Sequence, residues 1–236
     1  MMESSADQLT GASSATPPKL EIQSHGSPVS LFPTACFVVE HQGTEPMNDE
    51  LVRFCLEQEK NQVGLQTGSI QGYHSDRQFF DNENWAVQQL KELMIGNARN
   101  YLQEYWKSES VTPLSSVRDL SLQLSGWSVL LREGDFSKPH THPTSHISGV
   151  YYVMTKESNQ QSQSDEGNLV LVDPRIRASG SPLKGQKSNA MFSPKAGMAV
   201  MFPSWLEHFV LPFKGDGLRI SIACNFVLSP SALQHD

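Results

Sequence analysis

From about Asp119 to Val227 the chain is written in short runs of β-branched and aromatic residues broken by Gly, Pro, Asn and Asp. This texture constrains the fold more than any other feature, because most of the runs are long enough for one strand and too short for a helix of ordinary length. The spacing predicts strands at Leu120–Arg132, Ile147–Met154, Leu169–Val172, Met198–Phe202, His208–Pro212 and Leu218–Val227, joined by turn-rich segments such as 156–167 and 174–190. Several short strands in succession select a β-sandwich or barrel over an alternating α/β fold.

Upstream the periodicity changes. Ala35–Val39 behind Pro33 reads as a first strand, and Asn48 is placed to cap a helix over 48–60 whose apolar positions are Leu51, Val52, Cys55 and Leu56. A second helix is expected from Asn84 to Trp106, where Trp85, Val87, Leu90, Leu93, Met94, Ala98, Tyr101 and Leu102 recur near three and four. The fold class is therefore mainly β with flanking helices, α+β. Residues 1–29 are rich in Ser, Ala, Pro and Gly and poor in large apolar side chains, so they read as a disordered leader. Residues 30–228 form the domain and 229–236 a loose tail, and the polar run Glu157–Glu166 reads as a loop.

Composition narrows the function. The formal net charge is −7 and no Lys/Arg run tracks a phosphate backbone, which argues against nucleic acid and polyanionic partners. No stretch reaches the roughly 18 apolar residues of a membrane span, and the opening MMESSADQLT lacks the basic-then-apolar order of a signal peptide. A soluble, cytoplasmic protein is expected. Cys36, Cys55 and Cys224 are odd in number and far apart, which suits reduced, mostly buried thiols.

The chemistry gathers around histidine. His140-Thr141-His142 places two imidazoles two residues apart, on one face if the backbone is extended. In a chain with eight histidines such a pair arises by chance too readily to argue alone. Its setting adds weight: the turn Gly134–Pro139 leads in, the strand signal Ser148–Val153 follows, and His208 opens a later apolar run behind Phe202-Pro203-Ser204-Trp205-Leu206. Three side-chain ligands leave positions open, which suits non-haem iron(II), whereas a closed zinc site wants a fourth ligand. Further on, Arg219 and Ser221 share a strand face while Ile220, Ile222, Cys224 and Phe226 take the other. A guanidinium inside a small barrel demands an anion, either a ligand carboxylate or an internal Asp or Glu.

These residues resemble the 2-oxoglutarate and iron(II)-dependent oxygenases, and within them a small branch of H-x-H-P proteins. The motifs stand here as HTHP at 140–143, SGVYYV at 148–153, DPR at 173–175, FPSWLEH at 202–208 and RISIACNF at 219–226, with QGYHSD at 71–76 also similar. The resemblance implies a double-stranded β-helix, a jelly-roll or cupin-like barrel. It implies Fe(II) held by His140, His142 and His208, and 2-oxoglutarate as cosubstrate with O2, its distal carboxylate bound by Arg219 and Ser221 with Tyr152. Decarboxylation of the cosubstrate would be coupled to hydroxylation of a C–H bond. Most of the wider superfamily has Asp or Glu where this chain has His142, so an imidazole replaces an anion and leaves the site one unit more positive.

Two other readings compete: a three-histidine cupin-type dioxygenase, and a non-catalytic barrel that binds a carboxylated ligand or a partner. Arg219-x-Ser221 discriminates against the cupin, which has no need of a dicarboxylate clamp. Asp135, His146 and Glu207 are close enough in sequence to take a histidine's place in the ligand set, but Asp135 is expected to shape a turn, Glu207 to face away from His208, and His146 to stand at the rim of the pocket or behind the ligands. Trp127, Trp205, Tyr151 and Phe202 are read as core rather than pocket. A helix-backed barrel of this kind can pair into a homodimer through its helices or a β-edge.

Overall fold

The computed structural model describes residues 33–67, 70–108, 120–155, 166–175, 180, 187–214 and 217–229. The leader 1–29, most of the 157–166 loop and the tail beyond Ser229 lie outside them. Two antiparallel sheets carry the fold. The larger runs in the order β1 (Phe37–Glu40), β8 (Met198–Pro203), β5 (Ile147–Met154), β10 (Arg219–Leu228), β3 (Leu122–Leu131) and β2 (Tyr73–His74). The smaller runs β4 (Ser137–His140), β9 (His208–Val210), β6 (Leu169–Val172) and β7 (Asn189–Phe192).

Strand alternation assigns the two faces of the larger sheet. Leu130, Ile147, Tyr151, Ala199, Met201, Ile220, Ile222 and Phe226 are buried against the helices. The alternate residues Tyr152, Met198, Val200 and Phe202 pack with Leu169 and Leu171 of the smaller sheet. The central strands of the larger sheet are covered on both sides and so read as nearly continuous apolar runs, whereas the edge strand β1 alternates with one exposed face. β10 and β3 pair over ten residues, from Arg219 opposite Leu131 to Leu228 opposite Leu122.

Helix α1 (Glu45–Asn61) begins about a turn earlier than the Asn48 cap suggested. Pro46 suits the first turn, where its missing N–H has no partner to lose, and Glu45 meets the positive end of the helix dipole. Asn48 is instead buried inside the helix: its Oδ1 accepts the Tyr151 hydroxyl at 2.8 Å and its Nδ2 donates to Thr44 Oγ1 at 3.3 Å. Helix α2 (Trp85–Ser108) starts where expected, with Asn84 Oδ1 accepting the Ala86 N–H at 2.9 Å. Its buried stripe is Ala86, Val87, Leu90, Met94, Ala98 and Tyr101, whereas Trp85 lies outside the stripe and is 54 % exposed. No helix among the described residues is long and apolar enough to cross a membrane.

Candidate active site

Three imidazoles converge at one end of the space between the sheets. His140 is the last residue of β4 and His208 the first of β9, and the two are direct partners across that strand pair. His142 lies just beyond β4 rather than on it. Its position is fixed by its own N–H donating to Ser204 O at 2.9 Å and by a turn that returns the Ser145 N–H to its carbonyl. Ring centroids stand 4.3 Å apart for His140–His208, 5.0 Å for His140–His142 and 5.1 Å for His142–His208. One potential ligand atom from each lies within 4.8 Å of the other two.

The hydrogen bonds assign tautomers. His140 Nδ1 lies 2.7 Å from the Lys138 carbonyl and His208 Nδ1 2.9 Å from the Leu206 carbonyl. A carbonyl only accepts, so both Nδ1 atoms carry the proton and both Nε2 lone pairs are left for a metal. Burial, and then the neighbouring imidazoles, push His142 down to about 3; burial and then His140 push His208 down to about 4. Both rings are neutral at pH 7, the state in which imidazole binds a metal.

The nearby groups take the places expected of them. Asp135 Oδ2 accepts the Arg132 N–H at 2.8 Å and closes the turn in which Gly134 adopts φ +86°. Glu207 is exposed. His146 is outside the trio, its Nδ1 accepting the Leu228 N–H at 3.1 Å, so it ties the end of β10 to the histidine loop.

Arg219, Ser221 and Tyr152 line the same cavity as the three histidines, a space of about 600 Å³ including its open mouth. Ser221 is the direct strand partner of Tyr152. Arg219 is only 2 % exposed, with Nη1 donating to Ser221 Oγ at 3.2 Å and its guanidinium carbon 5.0 Å from the Tyr152 ring centroid. Its Nε and the Tyr152 hydroxyl are buried with no hydrogen-bond partner. No ion pair among the described residues involves Arg219, so no described Asp or Glu is the internal partner that sequence left open. Burial pulls the Arg219 pKa down, with the Tyr152 phenol acting the other way; burial raises Tyr152, and the guanidinium opposes that rise. Buried donors left unpaired beside a cavity are the mark of a site shaped for an anion.

Of the four aromatics read as core, Trp127 and Phe202 prove to line the cavity. Tyr151 is core on the helix side, and Trp205 is 55 % exposed. Alternation on β3 explains Trp127, which shares the inner face with Val129 and Leu131. His74 of the QGYHSD run stacks on Trp127 at 5.3 Å and 13°, which brings that motif to the edge of the site.

With this geometry in place, comparison with known families is decisive. Residues 125–225 match the model of a family described as "Putative 2OG-Fe(II) oxygenase". This segment belongs to the 2-oxoglutarate/iron(II) oxygenases. The matched segment is accordingly an oxidoreductase domain, of a family that uses Fe(II), 2-oxoglutarate and O2. Solved structures share the oxygenase fold, the double-stranded β-helix. A prolyl-4-hydroxylase from Pseudomonas putida has a TM-score of 0.55 at 16 % identity, covering 82 % of this chain and 92 % of its own. A prolyl hydroxylase from Trichoplax adhaerens, in complex with a hypoxia inducible factor peptide, gives 0.52 at 11 % identity, covering 81 % and 83 %. HygX from Streptomyces hygroscopicus, with nickel and 2-oxoglutarate bound, gives 0.51 at 12 % identity, covering 82 % and 83 %. Comparison with curated protein sequences finds no match.

The donor set of the oxygenase domain suits the family's groups. Three converging imidazoles fit a divalent first-row metal, and the unpaired Arg219 Nε and Tyr152 hydroxyl fit a carboxylate.

Proposed function

We propose that this oxygenase domain is an iron(II)- and 2-oxoglutarate-dependent hydroxylase in which His140, His142 and His208 hold the metal. Arg219 and Ser221, with Tyr152, hold the distal carboxylate of the cosubstrate. The observation that carries this reading is the buried Arg219 guanidinium with an unpartnered Nε, in one cavity with three converging imidazoles.

Each residue has a physical task. The Nδ1 bonds of His140 and His208 to Lys138 O and Leu206 O fix their rings and make their Nε2 atoms better donors. The Arg219 fork and the Tyr152 hydroxyl orient a dicarboxylate from its far end, so its oxo-acid end is directed at the histidines. Leu131, Val150, Leu169, Phe202 and Val210 keep the space between them apolar and limit access of water. The metal, once bound, supplies the coupling of cosubstrate decarboxylation to oxygen insertion into a C–H bond. Because His142 brings no charge, the metal centre is one unit more positive than one with a carboxylate ligand. A three-histidine cupin would leave the Arg219 fork without work.

Anaerobic titration with iron(II) and then 2-oxoglutarate tests the reading. A weak visible charge-transfer band should appear on addition of 2-oxoglutarate and should be absent in His208→Ala, which stays folded by circular dichroism. Iron binding without a band in the native protein would instead favour the cupin or ligand-binding reading.

A further inference from the structure

Arg219 lines this cavity and is accounted for by 2-oxoglutarate, while a second guanidinium, that of Arg77, stands over the cavity-lining Trp127. Arg77 follows the QGYHSD run and is exposed, its guanidinium carbon 5.8 Å from the centroid of the Trp127 ring. Trp127 itself is 5 % exposed, lines the cavity and stands 5.6 Å from His142. Its ring is held by the His74 stack, and His74 in turn is fixed through Nδ1 to the Ser75 carbonyl at 2.5 Å. The segment bearing Arg77 is pinned to β3, where the Gly126 N–H donates to the Arg77 carbonyl at 3.3 Å. A fixed aromatic face with a cation above it and the metal ligands beside it is a preorganised surface.

The position of Arg77 separates it from the cosubstrate. Arg219 pairs with Leu131, while Trp127 lies four residues further along β3. That is about 13 Å at roughly 3.3 Å per residue, longer than a five-carbon diacid. A 2-oxoglutarate anchored on Arg219 therefore leaves Arg77 free. Among the described residues no ion pair involves Arg77 and no Asp or Glu lines the cavity, although the chain as a whole carries a formal net charge of −7. Asp76, the adjacent acid, is turned to the backbone, its Oδ1 accepting the Gln78 N–H at 3.0 Å.

We propose that Arg77 over Trp127 is the specificity element for the primary substrate, and that this substrate carries a carboxylate beside a flat apolar group. One guanidinium fork matches one carboxylate, whereas a phosphate dianion would call for further donors. The apolar group would lie on Trp127, which brings the adjoining carbon toward His142. The inference rests on the assignment of Arg219 to 2-oxoglutarate.

The test uses full-length protein loaded with Zn(II) as a diamagnetic metal and saturated with 2-oxoglutarate, so that the Arg219 end is filled. Binding of 3-phenylpropionate and of its neutral isostere 3-phenylpropanamide is measured by ligand-observed NMR. Native protein should prefer the carboxylate by about fivefold or more, and Arg77→Gln should bring the ratio to about one. A ratio near one in native protein, or a preference that survives in Arg77→Gln, overturns the proposal. Parallel titration of 2-oxoglutarate on Arg77→Gln and Arg219→Ala separates the two claims. Loss in Arg219→Ala alone upholds the cosubstrate reading and leaves the probe ratio to decide Arg77, whereas equal affinity in both variants defeats the cosubstrate reading instead.

Discussion

Arg219 combines the features that make a single residue informative: full burial, an unpaired Nε and a hydroxyl neighbour without a partner. Removing its guanidinium takes the partner from a buried carboxylate, a loss of about 2–5 kcal/mol. Arg219→Ala should weaken 2-oxoglutarate binding at least about 30-fold by that figure while iron(II) affinity stays unchanged. The ligand-free variant should melt no lower than the native protein, because an uncompensated buried charge has been removed. Anaerobic titration and thermal melts measure both effects, and native-like cosubstrate affinity would remove Arg219 from the site. The histidines set a pH dependence. His142 at about 3 and His208 at about 4 lie below the unfolded histidine value of about 6.5, so the unfolded chain takes up protons first as pH falls. Their contribution to stability is complete above about 6.5 and is lost progressively as pH falls toward 4. Melts of metal-free protein between pH 7.5 and 4.5 should show that decline, and the double variant His142→Gln/His208→Gln should show a shallower one. Arg219 and Ser221 were legible as sharing a face because β10 is extended, whereas His140, His142 and His208 were picked out by the motif resemblance, since His142 lies beyond β4 and His208 on a separate strand. Arg77 and Trp127 were not, because only the pairing of β2 with β3 brings the QGYHSD segment beside Trp127.

At the scale of elements, pairing decides what periodicity leaves open. β5 and β6 match their predicted spans because each is a continuous apolar run between turn residues. β2, only two residues long, and β7, exposed along an edge of the smaller sheet, carry no such pattern and take their extended form from their neighbours β3 and β6. Helix α1 was misplaced by a turn because Asn48 offers a capping side chain, yet the Tyr151 hydroxyl claims it across the core. β3 also depends on one missing side chain. A Cβ at Gly126 would collide with the Phe80 ring and lie 2.9 Å from the Ala223 carbonyl of β10. Gly126→Ala should therefore destabilise the domain by about 1–3 kcal/mol, the usual range for overpacking a filled core. Chemical denaturation measures it, and native-like stability would show that Phe80 moves aside at little cost.

Considered whole, the molecule concentrates its chemistry in one part of the chain. His140, His142, His208, Arg219, Ser221, Tyr152 and Trp127 all fall within residues 125–225, the span of the family match, and Arg77 reaches them through β2 and the segment pinned to β3. The helices contribute differently: α1 and α2 cover the outer face of the larger sheet, so strands whose inner residues form the cavity are buried on both sides. Every residue proposed to hold the metal or the cosubstrate therefore lies on the two sheets or in the loop after β4. Residues 1–29, by composition, have few large apolar side chains to bury. A protein lacking residues 1–29 should therefore keep the melting temperature, iron(II) affinity and 2-oxoglutarate affinity of the full chain. The same melts and anaerobic titrations decide it: a lower melting temperature would give those residues a part in the fold, and weaker cosubstrate binding at an unchanged melting temperature would give them a part in the site.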